Sequence, residues 1–154
     1  MNASFQGKRA LVTGSNKGIG FAICQGLLAA GFNVILAARS LDKANTAIEQ
    51  LQSSNIRAVK LDVSDDGSID LAAKNLGQEI DSLDVLINHA GIYPDQKVNI
   101  LTVSRELLNQ AMNVNAFGAL RVTQAFLPLL MRSVAARVIN KLIVIHFSRL
   151  IRFY

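Results

Sequence analysis

The sequence predicts an α/β protein with a doubly wound parallel sheet of about five strands. Three observations support this class. Short apolar runs, suited to strands that are buried on both faces, alternate with helical segments through most of the chain. A glycine cluster joins the first apolar run to the first helical segment, and polar or glycine residues follow the later runs. This strict alternation requires right-handed crossovers with helices on both faces of the sheet.

The first half of the chain contains three strand–helix units. The apolar run at 9–12 predicts a strand, and the segment from about Gly18 to Ala30 predicts a helix that a turn at 30–33 ends. The second strand covers 34–38, and Ser40 is the expected cap of a polar helix that reaches about Gln52. The third strand covers 57–61.

The second half repeats the pattern. Ser64 or Asp65 is expected to start a helix whose apolar side carries Ile69, Leu71, Ala72 and Leu76. A strand at 83–87 and a loop to about 103 follow. One long helix is predicted from Ser104 to Met131, and a fifth strand is predicted at 136–139.

The glycine cluster predicts a dinucleotide site. Without Cβ atoms, Gly14, Gly18 and Gly20 allow a sharp turn, a close approach to a pyrophosphate and amides directed from a helix N-terminus. Arg39, Asp62 and the segment 88–91 also follow strands. Because parallel strands end at the same edge of the sheet, these features are expected to meet there.

Composition limits the alternatives. A chain of 154 residues, 51% hydrophobic and with a net charge of +5, predicts one globular domain at 1–140 and a divergent apolar and basic tail at 141–154. The last 48 residues hold six Lys or Arg and no Asp or Glu. This stripe favours an anionic partner or an acidic complement in further sequence, and nucleic-acid binding is not expected. We expect a cytoplasmic protein without a membrane span, with Cys24 as a buried, inert thiol.

Four motifs together resemble the short-chain dehydrogenase/reductase family over about residues 8–140. They are Thr13-Gly14-x-x-x-Gly18-Ile19-Gly20, Asp62-Val63, Asn88-x-Ala90-Gly91 and Asn115-Ala116-Phe117-Gly118, while Asn16-Lys17-Gly18 is similar to the carbonyl-reductase branch. The resemblance implies a Rossmann fold that lacks the C-terminal part of the family's fold. It also implies a cofactor site made of Thr13, Gly14, Ser15, Asn16, Lys17, Gly18, Ile19, Gly20, Arg39, Asp62, Val63, Asn88, Ala90 and Gly91.

Within that pattern, the glycines are expected at the pyrophosphate, Asp62 and Val63 at the adenine, and Asn88, Ala90 and Gly91 on the ribose side. The chain departs from the family at His89, where a second Asn is usual. His89 either replaces the hydrogen bond of that Asn or is a satisfied buried histidine, and we favour the second interpretation over an acid/base role.

Charge favours NADP(H) as the cofactor. An NAD site needs a carboxylate at the end of the second strand for the ribose 2′-hydroxyl, but Ala38 occupies that position and Arg39 follows it. Arg39 and Lys17 can both face a 2′-phosphate. The alternative is that both are solvated surface charges.

The family resemblance implies a catalytic Ser after the fifth strand, a Tyr with a Lys four residues later, and an Asn in the long helix. Asn115 matches that Asn, but Lys141-Leu142-Ile143 stand where the serine segment is expected. Ser148 lies too far along the chain, and no residue stands four positions after Tyr154. Tyr93 and Lys97 have the right spacing in the wrong place, and Pro94 disfavours one helical face for them.

Two function classes therefore remain open. One is an NADP(H)-dependent oxidoreductase of carbonyl or alcohol groups that is completed by other sequence or another chain. The other is a catalytically incompetent NADP-binding fragment, such as a truncated isoform. The fifth strand is expected to present an exposed apolar edge, through which a full-length relative or a second copy could associate.

Overall fold

The apolar runs pair as parallel strands in a single sheet of order β3-β2-β1-β4-β5. The computed structural model describes residues 5–93 and 102–141. The strands are β1 Arg9–Thr13, β2 Asn33–Ala38, β3 Ile56–Lys60, β4 Val85–Asn88 and β5 Arg137–Asn140. The helices are α1 Gly18–Ala29, α2 Leu41–Leu51, α3 Asp66–Glu79, α4 Arg105–Met112 and α5 Ala119–Leu130, and a π-helical segment, Asn113–Gly118, joins α4 to α5.

The strand order reverses at β1. This strand pairs with β2 on one side, where Thr13 is in register with Ala37, and with β4 on the other side, where Val12 is in register with Ile87. A crevice opens at such a switch point, outside the carboxyl ends of the strands. The glycine turn after β1 and the segment after β4 therefore face each other across that crevice.

The core consists of two layers, one on each face of the sheet. Successive strand residues alternate between them: Leu11 packs with the layer that contains Ile69 of α3 and Phe126 of α5, whereas Val12 packs with the layer that contains Cys24 and Ala44. All six residues are fully buried. Leu71, which was also expected on the apolar side of α3, is 59% exposed, because it lies two positions after Ile69 and so faces the opposite side of the helix. Burial on both faces is thus confirmed for β1, β2 and β4, whereas β3 is partly buried and β5 is exposed. The prediction of a buried Cys24 is also confirmed: burial raises the pKa of its thiol to about 11, and a hydrogen bond with Ser15 opposes the rise.

The predicted helix starts are confirmed by their caps. Ser40 Oγ accepts a hydrogen bond from Lys43 N at 3.4 Å, and Ser104 Oγ accepts one from Leu107 N at 3.1 Å. At the start of α3 the cap is Asp65, whose carboxylate accepts from Gly67 N at 2.9 Å. Each side chain satisfies an amide that has no partner within its own helix.

The predicted long helix from Ser104 to Met131 is not uniform. It widens into the π-helical segment, whose last residue, Gly118, lies against the loop after β3. A Cβ at Gly118 would lie 2.5 Å from the carbonyl oxygen of Val63. The fourth strand also starts later than predicted, because Leu83 N donates to Leu129 O of α5 at 3.0 Å and does not pair in the sheet.

β5 forms an edge of the sheet. In the described part of the chain it pairs with β4 alone, and its four residues are exposed, including Val138 at 41% and Ile139 at 49%. No helix among residues 5–93 and 102–141 is long and apolar enough to cross a membrane. The predicted tail beyond Lys141 lies outside the described residues, and the domain boundary at 140 stays a prediction.

Candidate functional site

The turn between β1 and α1 is shaped by its glycines. Gly14 and Gly18 have φ angles of +64° and +59°, in the left-handed region that side chains disfavour. A Cβ at Gly14 would lie 2.7 Å from Ala90 Cα, and one at Gly20 would lie 2.6 Å from His89 Cδ2. At Gly18 nothing would lie within 4 Å of a Cβ. The turn is therefore pressed against the β4 side at two glycines and open at the third.

Among the described residues, no side chain caps the backbone amides in the first turn of α1. Its N-cap, Lys17, makes no side-chain hydrogen bond to the helix in the described structure, whereas α2, α3 and α4 each have a capping side chain. The leading amides of a helix have no partner within it and attract anions. This uncapped start and the open space at Gly18 fit the pyrophosphate of a dinucleotide.

The side chain of Thr13 connects the glycine turn to the end of β4 through hydrogen bonds. Its Oγ1 accepts hydrogen bonds from His89 N and Ala90 N, each at 3.0 Å, and donates to Ile87 O at 3.5 Å. Ser15 acts in the same way within its own side of the crevice, where its Oγ donates to Val12 O at 2.7 Å. Both side chains are buried, and they brace the wall of the crevice.

A cleft of about 410 Å³ runs across the carboxyl ends of the strands. Ten of the predicted site residues line it: Gly14, Asn16, Lys17, Gly18, Ile19, Arg39, Asp62, Val63, Ala90 and Gly91. The other five, Thr13, Ser15, Gly20, Asn88 and Asn115, lie behind its wall. Six further residues line the cleft that were not predicted from the sequence: Leu61, Ser64, His89, Ile92, Val114 and Lys141. Proximity to the motifs was the available signal for each of them.

One end of the cleft lies over β2 and β3 and carries two exposed cations, Lys17 and Arg39. Neither has an ion-pair partner among residues 5–93 and 102–141. The nearby carboxylate of Asp62 accepts from Ser64 N at 2.9 Å and from Ser64 Oγ at 2.6 Å, which shapes the loop after β3. The free positive charge at this end suits an anionic group.

The other end lies over β4 and β5. Asn88 is 4% exposed, and its Nδ2 donates to Asn140 Oδ1 at 2.8 Å and to Thr123 Oγ1 at 3.0 Å. Its carbonyl oxygen accepts from Lys141 N at 2.9 Å. Asn88 thus joins both strands to α5, and its role in the described structure is to hold this edge of the sheet together.

His89 differs from the expected satisfied buried histidine. Its Nδ1 is buried without a hydrogen-bond partner among the described residues. Burial lowers the pKa of His89 below its usual 6.5, and the charge of Lys141 lowers it further. The imidazole is therefore held neutral at physiological pH.

Asn115 connects the π-helical segment to the loop after β4. Its Nδ2 donates to Ile92 O at 2.9 Å, and its Oδ1 accepts from Ile92 N at 2.8 Å. Both ends of the amide are thereby used by one residue of the cleft wall. Asn115 positions that wall, and its predicted catalytic role stays a prediction. Pro94, Lys97, Leu142, Ile143, Ser148 and Tyr154 lie outside the described residues.

Comparisons with known proteins agree with this geometry. The family model for short chain dehydrogenases matches residues 8–145. The chain is 41% identical over 127 residues to the short-chain dehydrogenase anuI of Penicillium roqueforti, and this match covers 80% of this chain and 50% of that protein. It is 32% identical over 153 residues to (+)-neomenthol dehydrogenase of Arabidopsis thaliana, covering 85% and 52% of the two chains.

A solved structure has the same fold. The RhlG/NADP active-site complex of Pseudomonas aeruginosa superimposes with a TM-score of 0.80 at 32% identity, covering 86% of this chain and 53% of that one. The chain thus spans about half the length of the relatives it matches. The span that the family model matches, residues 8–145, includes the glycine turn, the cleft and all five strands of the described structure. The chain belongs to the short-chain dehydrogenase family of oxidoreductases.

Proposed function

We propose that this chain binds NADP(H) in the cleft and is the cofactor-binding part of an oxidoreductase that interconverts carbonyl and alcohol groups. One observation carries the choice of cofactor. Lys17 and Arg39 are exposed at the β2 end, without ion-pair partners in the described part of the chain. Ala38 stands where an NAD site needs a carboxylate.

The energy of such contacts favours the phosphorylated cofactor. A charge-assisted hydrogen bond contributes about 1.5–3 kcal/mol, so two of them favour NADP(H) over NAD(H) by well over tenfold. Arg adds a planar fork of donors that suits two phosphate oxygens at once. The NADP complex of the Pseudomonas aeruginosa relative supports the same choice.

Other residues of the cleft have positioning roles in this proposal. Gly18 leaves room for the pyrophosphate at the uncapped start of α1, and Gly14 allows the turn to lie against Ala90. Asp62 and Val63 form the adenine side, and Ala90 and Gly91 form the ribose wall. When bound, NADPH supplies the hydride. Side-chain hydrogen bonds fix the backbone against which the dinucleotide would lie; they are made by Thr13, Ser15, Asn88 and Asn115.

A second candidate is a cofactor-binding protein without its own catalysis. Among the described residues that line the β4–β5 end, the ionisable groups are His89 and Lys141. The lowered pKa of His89 makes it a poor proton donor at neutral pH. A positioned general acid contributes about 10²–10⁴-fold to rate, so its absence would leave hydride transfer very slow.

Calorimetric titration with NADPH and with NADH tests the cofactor assignment. We expect Arg39→Glu to lower the affinity for NADPH at least tenfold and to spare NADH. Lys74→Glu is the matched control, because it makes the same charge change on exposed α3 surface outside the cleft lining. Equal losses for both dinucleotides in Arg39→Glu would contradict the assignment.

The two candidates differ in activity. Oxidation of NADPH by the purified 154-residue chain with a panel of aldehydes and ketones would support the reductase. Intact NADPH binding without turnover would support the non-catalytic protein. Turnover that appears when a full-length relative is added would indicate that another chain completes the site.

A further inference from the structure

Lys141 places a positive charge at the end of the cleft away from Arg39. It follows β5 directly, and its backbone N–H donates to Asn88 O at 2.9 Å, which fixes where its side chain starts. The residue is partly buried and lines the cleft together with His89 and Ala90. The charge of Lys141 also contributes to the lowered pKa of His89, which shows that its electrostatic field reaches the cleft wall.

This charge is not neutralised in the described part of the chain. Lys141 takes part in no ion pair there. The acidic residue that lines the cleft is Asp62, which lies at the β3 end and is bonded to Ser64. His89, the other ionisable group at this end, is held neutral. Among residues 5–93 and 102–141, the side chains that line the β4–β5 end therefore carry a net positive charge.

The orientation of a bound dinucleotide follows from the proposed function, on which this inference rests. In a doubly wound sheet each half of the fold holds one mononucleotide. If the 2′-phosphate lies at Arg39 and Lys17, the adenosine half occupies the β1–β3 side. The nicotinamide half then points toward β4 and β5, and its ring comes to the end of the cleft that Lys141 charges.

We propose that Lys141 makes the cleft select the reduced cofactor, so that NADPH binds more tightly than NADP⁺. The two forms carry the same phosphates and differ in the nicotinamide ring, which has a formal charge of +1 when oxidised and none when reduced. Attraction between Lys141 and the phosphates is common to both forms. Repulsion between the Lys141 ammonium and the ring acts on NADP⁺ alone.

The effect is measurable as a ratio of dissociation constants. Two like charges several ångströms apart near a protein surface change this ratio on the order of tenfold. For a two-electron couple, each tenfold preference for the reduced form raises the midpoint potential of the bound cofactor by about 30 mV. The bound couple is therefore expected to be easier to reduce in the native chain than in a chain without the charge.

Titration of the 154-residue chain with NADPH and with NADP⁺ at low ionic strength tests the proposal. Lys141→Met and Lys141→Gln both remove the charge, and each is expected to lower the NADPH-to-NADP⁺ affinity ratio about tenfold. Lys141→Arg keeps the charge and is expected to keep the ratio. Lys17→Met removes a cation at the other end, and it should weaken both forms equally and leave the ratio unchanged.

Each outcome separates this inference from the function on which it rests. An unchanged ratio in Lys141→Met and Lys141→Gln, with both dinucleotides still bound, would overturn the role of Lys141 and leave NADP(H) binding intact. An equal fall of the ratio in Lys17→Met would also overturn it. If the native, folded chain binds neither form, the proposed function fails first and the inference fails with it.

Discussion

Replacement of Thr13 by Val should lower the free energy of unfolding, because it removes hydrogen bonds between the two sides of the crevice. The hydroxyl of Thr13 accepts from two backbone amides of the β4 side, His89 N and Ala90 N, at 3.0 Å each. Val has nearly the same shape but no acceptor, so both amides lose their partner without a cavity being formed. A buried donor left unsatisfied costs about 1–3 kcal/mol. Because both contacts are partly buried, we expect a total of about 2–4 kcal/mol.

Urea unfolding followed by circular dichroism measures this cost, and Thr13→Ser is the matched control. Ser keeps the oxygen and loses one methyl group, which costs about 1 kcal/mol. We therefore expect Thr13→Val to be the less stable variant by at least about 1 kcal/mol. We also expect it to bind NADPH more weakly, because Ala90 is no longer held against Gly14. A Thr13→Val variant as stable as Thr13→Ser would refute the reasoning.

Two further predictions concern packing and pH. Gly118→Ala should destabilise the fold by about 1–3 kcal/mol, because its Cβ would lie 2.5 Å from the Val63 carbonyl oxygen. The control is Gly77→Ala, whose Cβ meets nothing within 4 Å and which should stabilise the fold by about 0.5–1 kcal/mol in the same urea assay. Similar changes in the free energy of unfolding for both variants would contradict the contact with Val63. Since the fold lowers the pKa of His89 below 6.5, the unfolded chain gains a proton that the folded chain does not, so the free energy of unfolding should fall as the pH drops below about 6.5. His89→Asn should show a weaker fall between pH 7.5 and 5.5, and identical pH profiles would count against the shifted pKa.

The sheet could be predicted because its signal is local. The strands β1, β2 and β4 are buried on both faces and read as apolar runs. Each of α2, α3 and α4 starts at a Ser or Asp side chain that caps it. Boundaries were less certain where an apolar residue packs elsewhere. Leu83 belongs to the apolar run before β4, but its amide bonds to Leu129 O of α5. That contact joins residues far apart in the sequence, and no local pattern contains it.

The π-helical segment was missed for the same reason. Its cause is tertiary: Gly118 must fit beneath the Val63 carbonyl, while Asn115 must reach both backbone groups of Ile92. Helical periodicity around Ala111 and Val122 is compatible with an unbroken helix. The sequence therefore predicted a helix at this place and could not predict its local widening, which depends on two loops from other parts of the chain.

The candidate site was predicted in position more than in orientation. A motif places Ser15 and Asn88 at the correct edge of the sheet, but it does not show whether a side chain faces the cleft or the wall. The structure turns both inward, where they bond to Val12 O and to Asn140. Lys141 was read only as a departure from the serine pattern. Its position beside His89 in the cleft depends on the pairing of β5 with β4.

The two ends of the cleft differ in what they leave available to a ligand. At the β2 end, Arg39 and Lys17 are exposed cations with no ion pair in the described chain, so they remain free to meet a phosphate. At the β4–β5 end, the side-chain amide of Asn115 is hydrogen-bonded to the Ile92 backbone. The groups at this end that can act on a ligand are therefore the neutral His89 and the charged Lys141. The Lys141 ammonium is the group that we propose favours the reduced, uncharged nicotinamide ring over the oxidised one. Because its lowered pKa makes His89 a poor proton donor at neutral pH, we expect NADPH binding and turnover to be separable in this chain.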